Sequence, residues 1–482
     1  MRLQLNGFAP DLDPETPGVL TDCNAIVPTT QGLSAANSTV SAGLPAVSGA
    51  VTSAFVATLL DGSRRVFVSS TAAIQEAGAG LYTNRSRVGG YTGTNRMRWA
   101  VFGNNVLNTN RSEVIGQAAA GGNFADIAGA PRASIIVTAS GFVMALNTNA
   151  AAYGDAPDGW HCSAIRDQAS WTASAATQSA FGRLLDSPGA IRAGAALGSD
   201  VVAYKETSMF LGRYVGPPLI WQWTRVPGDI GTSGNESVVT VGTQHFFIGP
   251  SDLYVFDGTV PRSLNAPVRE WFFANLSQTH RDKVYGVADL PRDLVYWYYP
   301  SVASTSGALD SVLIYNFRTN QWGKQLIGTQ AALLYASGQI TYDGLGALYP
   351  TYDSMPDIAY DAPFWLADSQ VPAIVGADGV LYSLNGEPSA SYLVTGDFGD
   401  MTDYAFVKRV TPRYRQDPAS GQMINFYRDS LGAPRTQDAV VPLSRKRFDM
   451  RRAARWHSFR LDHPGRMAIN GLDVALQGDS PE

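Results

Sequence analysis

Strand-like runs dominate the chain, and they recur as one unit: a β-type run, a short turn of Gly, Asn or Asp, and a second run ending in aromatics. The unit spans Trp99 to Asn108, Ile135 to Leu146, Val201 to Leu211, His245 to Phe256, Val284 to Trp297 and Ala373 to Leu384, with a weaker copy from Tyr335 to Tyr349. Turn centres near 103, 140, 206, 250, 291, 341 and 378 give intervals of roughly 37 to 50 residues and one gap of about 66. That spacing brackets the four-stranded blade of a β-propeller. Asp61-Gly62, Asp158-Gly159, Asp257-Gly258, Asp343-Gly344 and Asp378-Gly379 supply the positive-φ residues that tight hairpin turns demand. The pattern therefore predicts an all-β fold with a β-propeller of six or seven blades over residues 51–386. Stacked β-sandwiches also show short strands at regular spacing and stand as the alternative.

The ends differ from the middle. Residues 1–50 are rich in Pro, Thr, Ser, Ala and Gly, and the run from Asp11 to Gly18 cannot sustain a helix or a central strand, so an extended N-terminal arm or platform segment is expected. Beyond residue 387, alternating runs at Tyr404 to Arg415, Met423 to Arg428, Arg455 to Leu461 and Arg466 to Leu476 predict a C-terminal β domain over 387–482 with one buried face.

Composition sharpens the all-β reading. Glycine is 48 of 482 residues and charged residues are only 16%; with 5 Lys and 8 Glu beside 31 Arg and 33 Asp, the chain lacks the residues that coat surface helices. A net charge of −5 makes a poor electrostatic magnet for nucleic acid. Cys23 and Cys162 have no CxxC partner and are too few for a disulfide framework, which suits a reducing cytoplasm. No run approaches the length of a membrane span, and the N-terminus has no apolar signal-like segment.

Catalytic markers are sparse. The histidines His161, His245, His280, His457 and His463 are scattered, with no HExxH, so no metal site is expected. GxSxG, GxxxxGK[ST] and GxGxxG patterns are missing, and no catalytic residue or cofactor is expected. The aspartates cluster in turns, where a structural role outweighs paired-carboxylate chemistry. Trp160, Trp171, Trp221, Trp223, Trp271, Trp297 and Trp322 are expected as inter-blade core, with sugar stacking as the alternative. Tyr296 to Tyr299 lie in a strand, so alternate rings face opposite sides, one of them an expected interface.

One charge cluster stands out: Arg445, Lys446, Arg447, Arg451, Arg452, Arg455 and Arg460, with Asp449 the single acid among them. It reads either as contact with a neighbouring subunit or DNA phosphate, or as a solvated edge strand that uses charge against sticking. Protein contact is favoured over DNA contact.

An ordered series of pieces resembles a known family. Trp171 to Gln178, Pro188 to Ile191, Val202 to Phe210, Tyr214 to Pro218, Phe246 to Gly258, Val284 to Tyr299 and Ile314 to Trp322, with the opening Asn6 to Phe8 and Asp22-Cys23, are similar to the tail nozzle or hub proteins of short-tailed bacteriophages, also called packaged-DNA stabilisation proteins. The resemblance implies a propeller on a platform built from terminal segments, assembled as a homo-hexameric ring below portal and adaptor proteins and near tail fibre or spike proteins. Its lumen would be the double-stranded DNA exit path and would help retain the packaged genome. A location in the virion tail, after assembly in the bacterial cytoplasm, follows. A host-polysaccharide-binding or -cleaving tail propeller is the functional alternative, and a phage scaffold with no channel is a third.

Overall fold

The structure, a computed structural model, describes residues 1–335, 351 and 370–478 apart from 79, 94, 120 and 389. It is all-β, and its one α-helix among the described residues is the seven-residue Arg269–Asn275. Five separate four-stranded antiparallel sheets follow one another along the chain in a propeller arrangement. The first holds Val51–Thr58, Arg64–Ser70, Ile74–Ala77 and Tyr82–Asn84. The second runs from Arg98–Phe102 to Ala125–Asp126, and the third from Arg132–Ala139 to Ala180–Arg183. The fourth spans Ala193–Leu197 to Ile220–Arg225, and the fifth Val239–Val241 to Arg262–Ser263.

Strand periodicity explains how these sheets stack. Successive side chains point to opposite faces, and in Phe142–Ala150 both faces are apolar. Phe142, Met144 and Leu146 pack with Val201, Phe210 and Trp221 of the fourth sheet. Val143 and Ala145 instead join Leu107 and Ile115 of the second. The same alternation joins the first sheet to the second through Phe67, Ile74, Val106 and Phe124, and the fourth to the fifth through Tyr204, Met209, Phe247 and Phe256.

The separate sheets number five where six or seven blades were expected, because the strands after residue 284 are not released as separate sheets. The fifteen-residue strand Gln321–Tyr335 carries two sets of partners. Its first half pairs with Leu309–Asn316, which continues to Leu294–Tyr299 and Tyr285–Asp289. The second half pairs with Val371–Gly376, then Leu381–Gly386 and finally Ser38–Ser41. At Lys324 the strand also meets Ile26, which carries the sheet on through Ile26–Thr29, Gly32–Ala35 and Ala468–Gly478 to Ala405–Gln416 and the edge strand Phe448–Ala454. The result is one 13-stranded sheet.

A seven-stranded sheet lies against it, built on Leu20–Asn24, Ser391–Thr395, Trp456–His463 and Gln422–Arg428. Val407, Phe448, Ile469 and Leu472 on one side meet Leu393, Met423, Phe459 and Leu461 on the other, in the same core as Trp297 and Trp322. Residues 1–50 pack against their own chain: Arg2–Gln4 pairs with Ala468–Gly478, and Leu3, Leu5, Phe8 and Leu20 are buried in that core.

The predicted turn centres near 103, 140, 206, 250, 291 and 378 all fall between paired strands. The 140 turn joins the first two strands of its sheet, whereas the 206 turn joins the second and third of the next. The gap of about 66 residues is thus partly a change of phase. Asp61-Gly62, Asp257-Gly258 and Asp378-Gly379 place their glycines at positive φ. Asp158-Gly159 is a correction: it sits inside the strand Gly154–Cys162, where pairing skips from Leu146 opposite Trp160 to Thr148 opposite Ala156. A glycine fits such a bulge because a Cβ there would lie 2.7 Å from that of Ala156. The weak unit at Tyr335 to Tyr349 and the Asp343-Gly344 pair lie outside the described residues, apart from Tyr335 itself.

Candidate functional site

The basic segment is split between the two large sheets. Arg451 and Arg452 lie on the edge strand Phe448–Ala454, while Arg460 lies on Trp456–His463 inside the seven-stranded sheet, with Arg455 between them. Aspartates answer most of the charge. Arg447 Nε stands 3.0 Å from Asp449, Arg452 Nη2 2.5 Å from Asp438 and Arg460 Nη2 2.9 Å from Asp462, and Lys446 pairs with Asp417. Tyrosines shield three guanidiniums: Arg452 lies 4.5 Å from the centroid of Tyr427, Arg455 5.2 Å from Tyr404 and Arg460 4.1 Å from Tyr392. Arg445 and Arg451 are exposed and carry no ion pair among the described residues.

The turn that presents Arg445 and Lys446 is unusual. Both residues have positive φ, 51° and 61°, and Ser444 and Arg447 exchange backbone hydrogen bonds around them at 2.9 and 3.0 Å. Such two-residue turns favour Asn-Gly, since a Cβ in the left-handed region costs about 1 kcal/mol or more. The double replacement Arg445→Asn with Lys446→Gly should therefore raise stability by about 1–2 kcal/mol, read from the urea midpoint. An unchanged or lowered midpoint would show that the Lys446 to Asp417 contact outweighs the backbone strain.

A second concentration of charge lies where the sheets converge. A cavity of about 850 Å³ is lined by residues from the first three sheets, from the turn before the fifth, and from Gly328 to Gln330 in the long strand. Arg98, on the first strand of the second sheet, is in contact with Glu236 in the 3-10 turn Asn235–Ser237 that leads into the fifth. Arg96 Nη1 lies 3.6 Å from the same carboxylate, and its guanidinium sits 5.1 Å from the centroid of Tyr285. Tyr285 in turn donates from its hydroxyl to the Ala54 carbonyl of the first sheet at 3.4 Å. Sheets far apart along the chain are thereby tied across the cavity. Burial, with the like charge of Arg96, pulls Arg98 down to about 9, while Tyr285 and Asp282 oppose the shift. Glu236→Gln should destabilise by about 2–3 kcal/mol, because it leaves two half-desolvated guanidiniums facing one another. Thermal melts at low and high salt measure this, and a loss under 0.5 kcal/mol (about the scatter of a surface substitution) would show the pair to be solvent-screened.

Cys23 and Cys162 are buried free thiols that burial pushes up to about 12 and about 11. No group of three or more His, Cys, Asp or Glu that could hold a metal occurs among the described residues. Trp160, Trp171, Trp221, Trp297 and Trp322 are buried, and Trp223 and Trp271 pack half-buried against the same cores. Tyr296 to Tyr299 do alternate, but the expected interface side is internal: Tyr296 and Tyr298 enter one core, Trp297 and Tyr299 another. No helix among the described residues is long and apolar enough to cross a membrane.

Arg96, Arg98 and Glu236 did not stand out in the sequence. The available signal was weak: two arginines at i and i+2 entering a strand, and a lone acid in the glycine-rich run from Gly231 to Glu236.

No family model matches the chain, and no curated protein matches it. Among solved structures, the computationally designed protein Ika8 is similar over 71% of this chain and 98% of its own, at 10% identity and a TM-score of 0.37. PorZ, a surface component of the type-IX secretion system of Porphyromonas gingivalis, is similar over 75% of this chain at 8% identity and a TM-score of 0.37. The extracellular domain of the putative hybrid two-component system BT4673 from B. thetaiotaomicron is similar over 86% at 8% identity and a TM-score of 0.39. The chain spans 44% and 47% of the latter two. These scores carry no argument about function.

Proposed function

We propose that the chain is a non-enzymatic structural subunit of a short-tailed phage tail, a nozzle that assembles as a ring of six below portal and adaptor proteins and surrounds the path of double-stranded DNA. The observation that carries this reading is the strand Gln321–Tyr335, which belongs at once to the propeller side and to the platform of terminal segments. A hinge between two domains would yield under load. A shared hydrogen-bonded strand transmits it. The ordered series of pieces from Trp171 to Trp322 that resembles tail nozzle proteins supports the same reading.

In this reading the 13-stranded sheet spans from the fifth sheet of the propeller back to the first. The meander from Tyr285–Asp289 to the first half of Gln321–Tyr335 packs on the fifth sheet through Trp297, Tyr315 and Phe246. The second half, with Val371–Gly376, Leu381–Gly386 and Ser38–Ser41, packs on the first sheet through Leu333, Val375 and Val68. DNA then passes between copies, around the axis of the ring, because the cavity inside one chain is small and crossed by the Arg98 to Glu236 contact. The exposed Arg445, Arg451 and the strained Lys446 turn are suited to an acidic patch on a neighbouring subunit.

Native mass measurement tests this, with the chain alone and mixed with its portal complex. A ring of six is expected, and replacing Arg445, Lys446 and Arg451 with Ser should shift it toward folded monomer. A persistent monomer that binds or cleaves host polysaccharide would overturn the nozzle reading.

A further inference from the structure

Five segments distant in sequence meet at a recess of about 400 Å³ on the platform: the N-terminal strand, the turn before Gly32, the turn before Gln321 and the paired strands Ala405–Gln416 and Ala468–Gly478. Its lining is polar. Arg413 and Arg415 both line it, and no Asp or Glu does. Neither arginine has an ion pair among the described residues, unlike Lys446, Arg447, Arg452 and Arg460; Arg415 Nη1 donates to Gln31 Oε1 at 2.9 Å. The hydroxyl of Thr319 and the side-chain oxygen of Asn470 are buried there with no hydrogen-bond partner. The Thr319 hydroxyl is free to donate to a ligand, whereas the Asn470 oxygen can only accept.

We infer that this recess binds a phosphate-type oxyanion. Two guanidiniums free of carboxylates match the charge and the forked geometry of phosphate oxygens. The Thr319 hydroxyl and the side-chain amide N–H of Gln31 add neutral donors. Nearby acids are already committed elsewhere, Asp473 to Arg2 at 3.2 Å and Asp417 to Lys446. The source is either free phosphate or the backbone phosphate of a nucleic acid. The recess lies within one chain, so it serves in a monomer as in a ring.

Calorimetric titration of the intact chain with inorganic phosphate, in buffer free of other oxyanions, tests the assignment. Saturable binding at one site is expected, weakened roughly tenfold or more in Arg413→Ser with Arg415→Ser. Arg451→Ser, on the exposed edge strand, should keep the parent's affinity. If the double variant fails to fold, Asn470→Asp places a carboxylate on the wall and should weaken phosphate binding by repulsion. Competition by a short DNA duplex would mark the nucleic-acid backbone as the source, and indifference to it would mark the free anion; both keep the site. No saturable binding in the parent, or equal binding in the recess variants, would overturn the inference.

Discussion

Acidification from about pH 7 to about pH 4.5 should remove roughly 4–8 kcal/mol of folding stability, an effect assigned to three buried histidines. His161, His245 and His463 are each pulled from 6.5 to about 4, chiefly by burial. Burial outweighs the carbonyl hydrogen bonds of His161 and His245, which favour the charged form. His161 Nε2 donates to the Trp171 carbonyl at 3.0 Å while Nδ1 meets the Tyr153 hydroxyl at 3.1 Å. His245 repeats this with the Ala196 carbonyl at 2.9 Å and the Tyr204 hydroxyl at 2.7 Å. His463 meets the Tyr414 hydroxyl at 2.7 Å, and neighbouring Asp462 only partly opposes the shift. The unfolded chain takes up these protons near pH 6.5, whereas the folded chain resists until about 4. Between those values the unfolded state binds more protons, so the stabilisation is complete above 6.5 and fades as the pH falls toward 4. Urea midpoints measured across this window should decline steadily. A flat profile would sink the assignment, and His161→Gln should flatten the slope by about a third if the three act independently.

Replacing Trp297 with Ala should destabilise by about 3–5 kcal/mol, the usual cost of deleting a large aromatic from a close-packed core. Trp297 is fully buried, its Nε1 donates to the Ser237 carbonyl at 3.0 Å, and its ring stacks 6.3 Å from Trp322 and 6.4 Å from Tyr315. That stack joins the fifth sheet to the strands shared with the platform, so the lesion loosens both. Trp297→Phe keeps most of the ring but leaves the Ser237 carbonyl unmet, and should cost about 1–2 kcal/mol. Thermal and urea unfolding would check the order, and equal losses for the two variants would place the stabilisation in the hydrogen bond rather than the ring.

Much of this architecture was legible. Phe142 to Leu146 and Leu294 to Tyr299 are continuous apolar runs, which a strand buried on both faces requires, and glycine turns at 103, 141 and 379 mark the hairpins. The C-terminal strands were expected within a few residues of Ala405–Gln416, Gln422–Arg428, Trp456–His463 and Ala468–Gly478. Partnership between distant strands was not legible. Nothing local in Ser38–Ser41 points to Leu381–Gly386, nor in Arg2–Gln4 to Ala468–Gly478. For the same reason the basic run from Arg445 to Arg460 looked concentrated. Its aspartate partners Asp417 and Asp438 precede it in the sequence, and its two halves belong to different sheets.

The pairing of Ser38–Ser41 with Leu381–Gly386 also sets an order of events in biosynthesis. A strand near the start of the chain must wait until a partner more than three hundred residues later has left the ribosome, on the order of half a minute at ordinary elongation rates. Through that interval the first sheet lacks the neighbour that covers Val66 and Val68, and that apolar face is open to other nascent chains. Completion comes late and all at once, with Ala468–Gly478 sealing Arg2–Gln4 in the last step. Such a molecule is slow to fold, dependent on protection while it is made, and slow to come apart once it is whole.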